Sequence, residues 1–91
     1  MLKPSNQGAR MALEFYRIMR EAGLPAGALH VLTGGDDAGD RLAHHPLVDG
    51  ITFTGSYDVG MYLYRTVRDD RPKPGIAEMG GKNPVIVTAT A

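Results

Sequence analysis

The sequence has 91 residues, with 10 basic and 10 acidic side chains and no cysteine. This length suffices for one small domain but not for two, and the zero net charge gives no electrostatic reason to expect a nucleic acid or a membrane as partner. Without cysteine, these residues hold no disulfide, thiolate metal site or cysteine nucleophile. No apolar run reaches the roughly 18 residues of a membrane helix, and no signal peptide is recognisable, so a cytoplasmic location is expected.

Helical and strand-like segments alternate in the first half of the chain. Residues 10–22 predict an amphipathic helix that ends at Gly23. Its predicted apolar face consists of Met11, Phe15, Ile18, Met19 and Ala22. Residues 28–32, "ALHVL", predict a short strand, and residues 36–45 predict a short helix with two early aspartates and two late histidines.

The second half repeats this alternation. A strand is predicted over 50–53 and a helix over 56–68, with Ser56 as the helix cap. A loop with two prolines and a glycine follows, over 69–75. The last two predicted elements are strands, over 76–79 and 84–87, joined by "GGKN".

The order α-β-α-β-α-β-β, with short apolar strands, predicts an α/β fold in which helices cover both faces of a parallel sheet. The segment "MLKP" reads as the end of a further strand, so residues 1–91 are interpreted as an incomplete, Rossmann-like domain. Right-handed crossovers would bring the carboxyl ends of the strands to one edge, where open α/β sheets bind ligands. Glycine follows three of the strands, in "TGG", "TGS" and "EMGG".

Two positions at this edge are candidates for chemistry. Gly55 and Ser56 precede a helix, whose free N–H groups and dipole suit an anion, although a serine cap without any ligand explains them as well. Glu78 ends an apolar run beside two glycines, and both a solvated carboxylate and a catalytic one fit that place. His44 and His45 would point about 100° apart on a helix, so we predict no metal site.

Three segments together resemble the aldehyde dehydrogenase superfamily: "GLPAGALHVLTG", "HPLVDGITFTGSYDVG" and "IAEMGGKNPVIV". Their order and spacing match, and the resemblance covers essentially the whole chain. The motifs "FTGS" and "EMGGKNP" are its most specific parts. Within the superfamily, "IAEMGGKN" is most similar to the glutamate-γ-semialdehyde (1-pyrroline-5-carboxylate) dehydrogenases.

The resemblance implies NAD(P)-dependent oxidation of an aldehyde, expected to be L-glutamate γ-semialdehyde, to a carboxylic acid through an enzyme thioester. Glu78 would be the base that activates the hydrolytic water, which requires a carboxylate within hydrogen-bond reach of that water. Met79 and Gly80, which follow it, would contact the nicotinamide through their backbone.

The resemblance also implies positions for the rest of the cofactor. Lys3 would hydrogen-bond the adenosine ribose hydroxyls, Gly55 and Ser56 would meet the pyrophosphate, and Val59 would pack near the adenine. Many members carry a glutamate three residues after the lysine, where it repels a 2′-phosphate. This chain has neutral Asn6 there, so we expect NAD to be used with weaker discrimination against NADP.

Other features depart from the family pattern. In the family, the nucleophilic cysteine lies further along the chain than the glutamate motif, and the oxyanion-hole asparagine lies before the lysine. Both positions would fall outside these 91 residues, which contain no cysteine. We therefore expect an inactive fragment of a longer, homo-oligomeric enzyme. The loop over 33–39 is one residue short, and no cofactor role is predicted for it. Two other interpretations stay open, a stand-alone nucleotide-binding module and a structural remnant without ligand. Nicotinamide-nucleotide binding by the isolated chain would distinguish these two.

Overall fold

A computed structural model describes residues 1–67, 73–81 and 83–90. The chain separates into two compact units, Met1–His45 and Pro46–Ala91. The regular elements, in chain order, are a 3₁₀ turn over Asn6–Gly8, α1 over Ala9–Glu21, α2 over Asp36–His44, β1 over Ile51–Gly55, α3 over Tyr57–Thr66 and β2 over Gly75–Met79. In the described part of the chain, no helix has the length and apolar character needed to cross a bilayer.

Both ends of α1 follow from local chemistry. The Ser5 hydroxyl accepts a hydrogen bond from the Gly8 N–H at 3.2 Å and so caps the preceding 3₁₀ turn. At the other end, the Gly23 N–H donates to the Arg20 carbonyl at 3.1 Å, with Gly23 at φ +91°. Glycine adopts this left-handed conformation without steric cost. The predicted helix over 10–22 is confirmed to within one residue at each end.

The face that α1 buries differs from the predicted one. The buried side is built from Ala12, with half-buried Tyr16 and Met19. Most of the predicted apolar face remains exposed within this unit: Met11, Phe15, Ile18 and Ala22. Apolar residues occur on both sides of this helix, so their period alone does not select a face. The small Ala12 side chain lets the rest of the unit approach the helix closely.

The predicted strand over 28–32 is reduced to a single parallel bridge between Leu2 and Val31. The Leu2 N–H donates to the His30 carbonyl at 2.7 Å, and the Leu32 N–H donates to the Leu2 carbonyl at 2.9 Å. The parallel pairing agrees with the interpretation of the first residues as the end of a strand. Two hydrogen bonds around one residue are too few to make a ladder, so the prediction of a full strand was wrong.

In the second unit, β1 and β2 pair in parallel, from Ile51 opposite Gly75 to Gly55 opposite Met79. The connection between them contains α3, which packs against both strands. This β-α-β arrangement confirms the predicted α/β class, because parallel neighbours need such a crossover. Predicted helix 56–68 is confirmed over Tyr57–Thr66.

The predicted strand over 84–87 is wrong, because these residues adopt no regular structure. Val85, Ile86 and Val87 are each at least 78% exposed. A strand is held by hydrogen bonds to a neighbour, and nothing within the described residues pairs with this segment. The predicted helix end at Arg68, most of the loop over 69–75, and Lys82 lie outside the described residues.

Candidate functional site

The carboxyl ends of β1 and β2 lie side by side. In the register of the pair, Thr54 is opposite Glu78 and Gly55 is opposite Met79. Ser56 and Gly80 directly follow the two strands, so five candidate positions share one edge of the parallel pair. Lys3 belongs to the first unit. The gathering expected from parallel strands is therefore seen for these five positions of the second unit.

The start of α3 has the features of an anion site. Ser56 is the cap, and its hydroxyl accepts a hydrogen bond from the Val59 N–H at 3.4 Å. The first intrahelical bond runs from Gly60 N–H to the Ser56 carbonyl at 3.0 Å, so the N–H groups of Tyr57 and Asp58 have no acceptor within the helix. The helix dipole also favours negative charge here. The Asp58 carboxylate lies in this same turn, so a phosphate bound at the helix end would have a second negative charge near it.

Gly55 lacks a side chain for a reason of packing. A Cβ atom built there would lie 3.2 Å from Cε2 of Phe53 and still closer to Cζ. The ring of Phe53 therefore fills the space that a side chain on Gly55 would need.

Gly60 brings α3 close to β2. A Cβ atom on Gly60 would lie 2.6 Å from Cγ of Met79 and 3.2 Å from Cε1 of Phe53, both tighter than normal contacts. A glycine inside a helix costs about 1 kcal/mol relative to alanine, and this close packing accounts for it. The side chain of Met79 is held under the helix, so only the Met79 backbone is left for a ligand. Val59, by contrast, is exposed.

Glu78 lies on the other face of β2, because successive strand residues alternate between faces. Its side chain is exposed, and Thr54 is its neighbour in the register. The chain turns sharply two residues later at Gly80, whose φ is +69°, a conformation that favours glycine. An exposed carboxylate at the end of a strand can accept a hydrogen bond from water, which is the first requirement of a general base.

In the first unit, the Lys3 ammonium donates to the carbonyl of Pro4 at 3.2 Å. The methylene groups of Lys3 lie against Gly39 of α2. Sequence reasoning missed this contact, because it depends on packing rather than on a motif. Nδ1 of His44 lies 3.2 Å from the Asp40 carboxylate, one turn earlier in α2, which agrees with a role for His44 at the helix end.

The second unit also contains a cavity that lies away from the candidate positions. A cavity of about 220 Å³ lies between α3 and the two strands, lined mainly by apolar side chains and by none of the seven candidate positions. Within residues 1–67, 73–81 and 83–90, no group of three His, Cys, Asp or Glu side chains is placed to hold a metal ion.

Comparisons with known proteins identify the family. The profile of the aldehyde dehydrogenase family matches residues 1–91. A chloroplastic aminoaldehyde dehydrogenase of Arabidopsis thaliana is 49% identical over 88 residues, which cover 96% of this chain and 17% of that protein. A 1-pyrroline-5-carboxylate dehydrogenase of Geobacillus thermodenitrificans is 41% identical over an aligned length of 97 residues. This alignment covers 100% of this chain and 19% of that protein.

Solved structures agree with this. The NAD-dependent aldehyde dehydrogenase from Sinorhizobium meliloti superimposes with a TM-score of 0.84 at 40% identity, over 91% of this chain and 16% of that chain. The bifunctional proline utilization A (PutA) protein gives a TM-score of 0.82 at 41% identity, over 87% of this chain and 8% of that chain. The chain thus spans less than one fifth of each of these proteins, and it belongs to the aldehyde dehydrogenase family.

Proposed function

We propose that this chain is part of the cofactor-binding domain of a longer NAD(P)-dependent aldehyde dehydrogenase. The observation that carries the proposal is the shared edge of β1 and β2, where the helix start at Gly55 and Ser56 lies beside the end of β2, which carries Glu78. One strand end offers an anion site and the next offers a carboxylate, so a bound dinucleotide and a general base could lie at the same edge.

The residues at this edge fit a dinucleotide. The first turn of α3 would hold the pyrophosphate through its N–H groups and the Ser56 hydroxyl, with Gly55 directly before this turn. Exposed Val59 would pack beside the adenine. The role of Lys3, which belongs to the first unit, is proposed from the family resemblance alone: it would donate hydrogen bonds to the ribose hydroxyls. Met79 and Gly80 would meet the nicotinamide through backbone atoms. When bound, NAD(P) supplies the hydride acceptor.

Glu78 is the general base of the proposal. A cysteine from elsewhere in the longer chain would add to the aldehyde, and the resulting thiohemiacetal would lose a hydride to the oxidised cofactor. A thioester would then remain to be hydrolysed. The Glu78 carboxylate would accept a proton from the attacking water, and its exposed side chain is open to that water. The family resemblance also supports a homo-oligomeric enzyme, and the cytoplasmic location proposed for it rests on the composition of the chain alone.

For the substrate we propose L-glutamate γ-semialdehyde, supported by the "IAEMGGKN" segment and by the names of similar proteins. An aminoaldehyde is the second candidate, because the relative with the higher identity of the two described carries that name. The ratio of kcat/KM values of the full-length enzyme for the two aldehydes would distinguish them. A higher value for the aminoaldehyde would overturn the first choice.

The role of Glu78 is tested by Glu78→Gln in the full-length enzyme. We expect the first equivalent of NADH to form at a nearly normal rate, while steady-state turnover falls by about 10²- to 10⁴-fold because the base is lost. Rapid-mixing absorbance at the NADH band measures both phases.

Glu21→Gln is the matched control, since Glu21 is an exposed carboxylate of α1 outside the proposed site. It should leave both phases unchanged. If Glu78→Gln also left hydride transfer and turnover unchanged, Glu78 would be a strand-end carboxylate without a catalytic role.

A further inference from the structure

Gly39 lies inside α2, at a place where a side chain would favour the helix. The nearest atoms to a Cβ built on Gly39 all belong to Lys3: Cε at 3.4 Å, Cδ at 3.5 Å and Nζ at 3.8 Å. These are van der Waals distances. The groove over Gly39 is therefore filled by the lysine side chain, which is half-buried there.

This contact matters because lysine has a long and flexible side chain. A free lysine loses much rotamer freedom when its ammonium is fixed on a ligand, and a side chain already laid along a surface loses less. Cδ and Cε of Lys3 lie against Gly39 of α2, and a lysine stem can pack in this way while its ammonium reaches a polar partner. The ammonium donates one hydrogen bond, to the Pro4 carbonyl, and this contact uses one of its three donors.

We infer that Gly39 is a positioning residue for cofactor binding: its bare backbone forms the platform on which the Lys3 side chain lies, and this sets where the ammonium meets the ribose hydroxyls of NAD(P). The inference rests on the proposed role of Lys3. A methyl group at position 39 would touch the lysine without moving it, whereas a branched side chain would occupy the space of Cδ and Cε and displace it.

The test measures the Kd of NADH, without aldehyde, for the full-length enzyme by calorimetry. Gly39→Ala should change Kd by less than about twofold. Gly39→Val and Lys3→Ala should each weaken binding by about three- to tenfold, as expected for a lost hydrogen bond. In the Lys3→Ala enzyme, adding Gly39→Val should have no further effect, because the group it displaces is gone.

Arg41→Val is the control for the effect of a β-branched side chain on α2, because Arg41 is an exposed residue of the same helix. This control variant should leave the Kd of NADH unchanged. Unfolding midpoints of all variants show whether they fold. Should Gly39→Val not fold, Gly39→Ser, which adds a single γ atom, replaces it with a smaller expected loss. In steady-state assays with varied NAD concentration, Gly39→Val should raise the KM for NAD and leave kcat unchanged.

The outcomes separate the inference from the proposed function. If Lys3→Ala weakens binding but Gly39→Val does not, the positioning role is overturned and the role of Lys3 stands. If Gly39→Val weakens binding equally with and without Lys3, it acts through the helix, and the positioning role is again overturned. If Lys3→Ala leaves Kd unchanged, the proposed role of Lys3 is overturned together with the inference.

Discussion

Asn6 stands three residues after Lys3, at the start of the Asn6–Gly8 turn, and its side chain is neutral and exposed. If Lys3 binds the adenosine ribose, a carboxylate at position 6 would face a 2′-phosphate. Like charges placed together at a binding site cost several kcal/mol. We therefore expect Asn6→Glu to lower the ratio of kcat/KM for NADP to that for NAD at least about tenfold in the full-length enzyme.

Asn6→Gln keeps the neutral amide and should leave the cofactor ratio as it is. Steady-state rates with each cofactor, at one aldehyde concentration well above KM, measure the ratio. An unchanged ratio in Asn6→Glu would show that position 6 does not face the 2′ position of the ribose.

Single residues of the site were predictable to different degrees. The gathering of Gly55, Glu78 and Met79 at one edge follows from parallel strands alone. The place of the Met79 side chain under α3, and of Lys3 on Gly39, depends on side-chain packing between elements, which a single sequence does not encode as a motif. The family resemblance supplied the expected roles of the site residues. The structure supplied the packing reasons for glycine at positions 55 and 60.

Among the elements, α3 depends most on a single position. Gly60→Ala would place its new methyl group against Met79 and Phe53. Such overpacking typically costs about 1–3 kcal/mol, which outweighs the gain in helix propensity of up to about 1 kcal/mol. We expect a lower free energy of unfolding for the variant, measured by urea denaturation of the full-length enzyme.

The control is the same substitution in a Met79→Ala background, where the space beside Gly60 is free. There, Gly60→Ala should be neutral or stabilising. An equal loss of stability in both backgrounds would mean that Met79 is not what requires the glycine.

On α1, the Arg17 guanidinium hydrogen-bonds the Glu14 carboxylate at 2.7 Å and also contacts Glu21. The hydrogen bond from Arg17 holds the pKa of the Glu14 carboxyl below its usual range. When the pKa of a carboxyl group is lower in the folded state than in the unfolded state, the group stabilises the fold at pH values above the unfolded-state pKa. This contribution is lost as the pH falls through the folded-state pKa. Since these groups are exposed, the effect is small and screened by salt.

We expect a peptide of residues 5–25 to lose part of its helicity at neutral pH when Arg17 is replaced by glutamine. The difference from the parent peptide should shrink below about pH 4.3, the ordinary value for glutamate, and vanish once Glu14 is protonated. Circular dichroism against pH measures it. Arg10→Gln, at the other end of α1, should show no such dependence; equal pH profiles for both variants would contradict the prediction.

The elements themselves show where sequence patterns suffice. Helices α1, α2 and α3 were predicted closely, because caps and glycine stops act within a few residues. The strands predicted over 28–32 and 84–87 do not form in the structure, because a strand exists only with a hydrogen-bonded neighbour. The inward face of α1 was misassigned, because apolar residues on both sides made the period ambiguous.

The molecule as a whole buries very little. Within the described residues, the buried hydrophobic side chains are Ala12 and Ala43, at 8% and 5% exposure. Burial of apolar surface is the main stabilising term in folding. We therefore expect the 91-residue chain, prepared alone, to show no cooperative thermal transition and to bind a hydrophobic dye such as ANS.

Calorimetry and dye fluorescence on the isolated chain check this. The full-length enzyme, with its larger core, is the reference and should unfold cooperatively. A sharp transition of the isolated chain, with coincident signals from secondary and tertiary structure, would contradict the prediction. It would also favour the alternative of a stand-alone nucleotide-binding module.

The register of β1 and β2 constrains how the length of this segment can vary. The two strands pair residue by residue from Ile51 and Gly75 to their ends. One residue inserted within β2 would turn the following side chains to the opposite face and point Glu78 toward α3. Added residues before Ile51 would leave this pairing intact. We therefore expect insertions and deletions in homologous enzymes to fall in the loops that flank the strands and not within the strands.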